Sequence, residues 1–80
     1  MFAVQCKMAR TALGWSVKDL ATAASVSTNT IVRLERGEVL KPRTISDIRQ
    51  ALENGGVVFL DGEYTGDGGP GVRLRQPVAR

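Results

Sequence analysis

Eighty residues, 42% of them hydrophobic, make one small domain and leave no room for a second. Eleven Lys and Arg against eight Asp and Glu give a net charge of +3, which points to a polyanionic partner only where it is clustered. One cysteine and no histidine exclude an internal disulfide, histidine acid–base chemistry and the usual zinc ligand sets. No nucleophile-and-base arrangement is visible either, so neither an enzyme nor a cofactor is expected.

Residues 4–13 read as a first helix, with Cys6, Ala9 and Leu13 on one face and Gly14 as its stop. Cys6 reads as a small buried hydrophobe, the alternative being a redox-sensing thiol. Ser16 is an N-cap for a second helix; Trp15 and Leu20 form a hydrophobic staple, and Asp19 occupies the acidic slot of an imperfect capping box. The same grammar repeats at Ser27, with Val26 and Ile31 as the staple pair and Gly37 as the stop after Arg36. Leu20, Ala21, Ala24, Val26, Ile31 and Leu34 form one apolar set, and the small Ala21 lets the two helices cross closely. Thr28, Asn29, Thr30, Val32 and Arg33 are left outside. Two short helices joined by a tight turn are the layout that places one helix in the DNA major groove, and these side chains suit base edges and phosphates.

Ser16, Leu20, Ala21, Val26, Ser27, Ile31, Leu34, Glu35 and Gly37 carry a resemblance. Their string is similar to the Cro/repressor type of helix-turn-helix, the xenobiotic-response-element family. Its pattern runs Ser-Gln-x-x-Leu-Ala, then Gly-Val-Ser, then an Ile, then Leu-Glu-x-Gly. The resemblance implies a mainly α fold, a four-helix lambda-repressor-like domain. It also implies that Arg10 pairs with Glu35 as scaffold rather than as a DNA contact. Two positions depart from the pattern. Val17 replaces the Gln that touches a phosphate or outer base in family members, so that contact is expected to be lost. Ser25 replaces the turn glycine and must either adopt a left-handed conformation or shift the turn.

Beyond Gly37, Glu38 to Thr44 reads as a basic loop in which Pro42 suits a loop end or a first helical turn. From Arg33 to Arg43 the positive charge is clustered, with Arg33, Arg36, Lys41 and Arg43 against Glu35 and Glu38, one of those acids having an internal partner. Phage repressors and Cro proteins carry a similar loop. By that resemblance Lys41 contacts a phosphate and Arg43 reaches the minor groove, the alternative being a merely solvated loop. Ile45, Ile48, Ala51 and Leu52 define a fourth helix to about Glu53, closed by Asn54-Gly55-Gly56.

Val57 to Leu60 and Gly71 to Arg75 then read as two strands around a flexible loop of about ten residues, a short C-terminal β-hairpin. Such a hairpin is marginal alone, and Val57, Phe59, Val72 and Leu74 would leave it with an exposed apolar edge. It either lies on the first and fourth helices or meets its copy in a second subunit, which makes these four the candidate dimerisation residues. Gln76 to Arg80 are expected to fray.

Residues 1–54 are thus expected to form the DNA-binding domain, and 55–80 a tail that is not an independent domain. The expected function is sequence-specific transcriptional regulation, as a repressor or autoregulator, with a homodimer on an inverted-repeat operator in double-stranded DNA. The candidate DNA-binding residues are Ser16, Lys18, Ser27, Thr28, Asn29, Thr30, Arg33, Arg36, Lys41 and Arg43. The competing reading is a protein-interaction module of the same fold, an antitoxin or anti-activator. No apolar run reaches membrane-spanning length and the Met-Phe-Ala-Val start is too short for a secretory signal, so a cytoplasmic location is expected.

Overall fold

The computed structural model describes residues 3–60 and 69–75. In chain order these form α1 (Ala3–Ala12), α2 (Val17–Ala24), α3 (Thr28–Glu35), α4 (Pro42–Asn54), β1 (Val57–Leu60) and β2 (Gly71–Leu74). Four helices and an antiparallel hairpin agree with the fold class read from the residues. Most of the loop between the strands, and the C-terminal residues expected to fray, lie outside the described residues.

Local chemistry accounts for most helix ends. The chain leaves α1 through Gly14, at φ +70, while the N–H groups of Gly14 and Trp15 donate back to the carbonyls of Thr11 and Arg10. At α2 the capping box is complete: Asp19 N–H donates to Ser16 Oγ at 3.0 Å and Ser16 N–H donates to the Asp19 carboxylate at 2.9 Å. The Ser16 backbone N–H holds the Asp19 carboxyl below the usual range. Of the two alternatives at Ser25 the left-handed one is realised, at φ 57 and ψ 42, so the helix-turn-helix keeps its turn at a conformational cost.

The α3 cap is also made, with Thr30 N–H donating to Ser27 Oγ at 3.1 Å and the two hydroxyls 2.8 Å apart. α4 begins with Pro42 at its first position, the first-turn alternative, where a missing N–H costs nothing. Gly55 is needed for space rather than for backbone freedom. Its φ is −76, and a Cβ there would stand 2.9 Å from both Leu13 Cδ1 and Trp15 Cη2, which pack over the end of α4.

The core gathers Leu20, Ile31, Ile48, Leu52, Val57 and Cys6, all essentially without solvent contact. Val57 pairs with Leu74 and Phe59 with Val72 across the hairpin, so one face of the ribbon carries all four and the other carries Val58 and Arg73. That face settles the placement of the tail. Val57 and Phe59 are 1% and 8% exposed, and Val72 and Leu74 are partly buried against the same core. Of the two placements expected for the hairpin it takes the one on its own subunit's helices, where Val57 and Phe59 are covered and Val72 and Leu74 keep part of their surface. Burying Val57 and Phe59 contributes about 1.5–3 kcal/mol each, which is what a hairpin of two four-residue strands lacks by itself.

Polar ties reinforce the docking. Gln5, fully buried on α1, donates its side-chain amide to the carbonyls of both Leu60 and Gly71 at 3.0 Å. At the other end of the ribbon, Arg75 donates to the Glu53 carbonyl at 2.7 Å, closing the C-terminal turn of α4. The Arg49 guanidinium, bonded to Glu53, lies 4.8 Å from the Phe59 ring centre.

Candidate nucleic-acid interface

α3 divides cleanly between core and solvent. Ile31 and Leu34 are buried, whereas Thr28, Asn29, Val32, Arg33 and Arg36 form a stripe on the outer side at helical spacing. None of those outer side chains belongs to the buried core. Val32 is 38% exposed, an apolar surface among polar ones of the kind that meets a thymine methyl.

From behind, the helix is held by Arg10. Its Nε and NH2 donate to the two Glu35 oxygens at 2.9 and 3.0 Å, a bidentate pair, and its NH1 donates to the Trp15 carbonyl at 3.1 Å. The side chains are only 16% and 12% exposed, so the pair is a joint between α1, the entry to α2 and the end of α3. It raises the Arg10 pKa, chiefly through the Glu35 hydrogen bond. Cys6 is part of the same joint, its thiol 3.5 Å from Glu35 Oε2. Burial first, and the Glu35 charge second, push the thiol up to about 12, so it is a protonated donor to the carboxylate. That is the packing role, not the reactive one.

Ser27, Thr30, Arg33 and Lys41 come together with Thr44 around one open cleft of about 420 Å³ between the start of α3 and the start of α4. Ser27 and Thr30 spend part of their hydrogen-bonding capacity on each other and on the cap, so they set the helix start as well as lining the cleft. Lys41 is the exposed N-cap of α4 and makes no side-chain cap, and Pro42 has no N–H. The first-turn N–H groups of Arg43 and Thr44 therefore add partial positive charge beside the Lys41 ammonium. Of the two settings expected for Pro42 the first helical turn is realised, so Arg43 lies inside α4.

Ser16 and Lys18 are exposed at the start of α2, away from that cleft. There Asp19 already occupies the helix N-terminus with a carboxylate. Arg36 is exposed at the far end of α3.

Sequence reasoning counted Glu38 only as an acid within the basic cluster. In the structure its carboxylate accepts from Arg33 Nε at 3.2 Å and from Arg36 NH1 at 3.4 Å. Helical spacing carries no signal of this, since Glu38 lies beyond the Gly37 stop. Thr44 was also missed: it lines the cleft from the first turn of α4.

No cluster of His, Cys, Asp or Glu that could hold a metal ion occurs among the described residues, and none of their helices is long and apolar enough to cross a membrane. No curated protein matches the chain. The helix-turn-helix family model matches residues 7–55, from within α1 to the end of α4, and so contains the whole of the cleft and the outer stripe of α3. By that match, the capped helix pair and the Arg10–Glu35 joint, the chain belongs to the Cro/repressor, or xenobiotic-response-element, type of helix-turn-helix proteins, a family of non-catalytic regulators that bind double-stranded DNA.

Proposed function

We propose that this protein is a repressor or autoregulator that reads an inverted-repeat operator as a homodimer, with α3 in the major groove. The observation that carries the reading is the outer stripe of α3, which has no partner in the core yet is fixed rigidly from behind by a bidentate ion pair. In this reading Arg33 contacts guanine, Asn29 adenine and Val32 a thymine methyl, with Thr28 at the groove edge. Lys41 and the uncapped start of α4 hold a phosphate, and Ser27 and Thr30 approach the backbone beside it. Ser16, Lys18 and Arg36 serve the flanking backbone, and Arg43 extends from the first turn of α4 toward the minor groove.

The dimeric part rests on physics and on a changed surface. A single eight-residue helix contacts too few base pairs to find one site in a genome, and a second subunit supplies the other half-site. With Val57 and Phe59 internal, the apolar surface that supports pairing is the outer side of α1, where Val4 is 54% and Met8 36% exposed beside Val72.

The test is selection of bound duplexes from a randomised DNA pool, followed by footprinting and by sedimentation equilibrium with and without the selected duplex. A symmetric footprint bound by two chains is expected. Enrichment of no sequence, together with tight capture of a protein partner, would transfer the function to the antitoxin or anti-activator class.

A further inference from the structure

Gly37, at φ +95, reverses the chain after α3, and Glu38 N–H then donates to the Arg33 carbonyl at 3.0 Å. The reversal lays a carboxylate on the face that the proposed function assigns to DNA. An acid there is costly for plain affinity, because every phosphate repels it. Its contacts show what it does instead. Oε1 takes the Nε hydrogen of Arg33, and Oε2 takes a terminal amino group of Arg36. Arg33 keeps its two terminal amino groups, the pair that meets guanine O6 and N7 end-on.

We propose that Glu38 is a positioning residue for specificity: it holds the Arg33 guanidinium in register for guanine and withholds it from phosphates. The inference rests on α3 being the reading helix. At 44% and 41% exposure the Arg33–Glu38 pair adds little to folding stability, so its effect falls on orientation. An unclamped arginine samples many rotamers and finds phosphate oxygens as readily as a base edge. A clamped one arrives with its donors set and loses less freedom on binding. Arg36, tied to the other oxygen, keeps Glu38 from swinging away.

The experiment compares the full chain with Glu38→Gln, Glu38→Ala, Arg33→Ala and the Glu38→Ala/Arg33→Ala pair. Each protein selects from a randomised duplex pool, and binding to the wild-type consensus and to random duplex is titrated across salt. Melting curves establish that each variant is folded. Wild type is expected to select a guanine that Arg33→Ala no longer selects. Both Glu38 variants should melt like wild type and lose about tenfold in preference for that guanine, a factor equal to about 1.4 kcal/mol. They should also bind random duplex more tightly, with a steeper salt dependence. In the Arg33→Ala background, removal of Glu38 should leave base preference unchanged. Full retention of the guanine preference in both Glu38 variants overturns this role alone. Selection of no sequence by wild type overturns the reading of α3 as well.

Discussion

An arginine–glutamate pair stands on each side of α3, and the two have opposite consequences. Behind the helix, Arg10 and Glu35 form a bidentate contact at 16% and 12% exposure. On its outer side, Arg33 and Glu38 form a longer, single contact at 44% and 41%. The inner pair is dry enough that neither member can be left alone, so it fixes where α3 sits. The outer pair is too wet to add much to stability, so in the proposed reading its effect falls on how Arg33 meets a ligand. Like residues thus differ in whether they can fix a helix or only orient an exposed side chain, according to their solvent access.

The largest expected effect tests the inner pair. Glu35→Ala strands the Arg10 guanidinium beneath α3 and should cost about 3 kcal/mol of stability, whereas Glu38→Ala should stay within about 0.5 kcal/mol of wild type. Urea titration of both variants checks this, and equal losses would break the comparison.

Next comes the reader itself. Arg33→Ala should leave stability unchanged and weaken operator binding by about 2 kcal/mol with no matching loss on random duplex. An equal loss on both targets would move Arg33 to the backbone. Lys41→Ala should instead weaken all sequences alike and reduce the salt slope by about one ion. An unaltered slope would remove Lys41 from the interface.

Ser25→Gly should raise stability by about 1 kcal/mol, since a left-handed φ of 57 strains serine and not glycine. A melting temperature that does not rise would show the turn to be unstrained.

The smallest effect in ordinary buffers concerns Cys6, whose thiol is raised from 9.0 to about 12 by burial and by Glu35. Because the folded value lies above the unfolded one, the stabilisation is fully present below pH 9 and is lost as the pH climbs toward 12. Alkaline unfolding of Cys6→Ala should therefore be shallower than that of wild type. Identical curves would place Cys6 outside the joint.

The residues alone were sufficient for most of what depends on neighbours within one helical turn. Ser16, Asp19 and Ser27 announce helix starts, Gly14 and Gly37 announce stops, and the spacing of Leu20, Ile31 and Ile48 marks the buried faces. The outer stripe of α3 follows from the same periodicity. The Arg10–Glu35 joint was legible only through the family resemblance, since the two residues lie 25 positions apart.

The Ser25 turn stood between two outcomes, because its conformation depends on how closely α2 and α3 pack. The hairpin read correctly as strands, but its destination stood between two outcomes. Val57 and Phe59 would be equally buried by a partner subunit or by α1 and α4, and alternation along a strand cannot distinguish them.

The sequence by itself thus determined the helix pair, its caps and the polar composition of the reading face. Tertiary structure alone decided that the tail closes its own core, that Gln5 ties α1 to a strand 66 residues away, and that Gly55 must leave room for Leu13 and Trp15. The physical reason is range. Caps and periodicity arise from bonds within one helical turn, whereas these contacts exist only after distant segments have been brought together, and no local pattern encodes which segment will arrive.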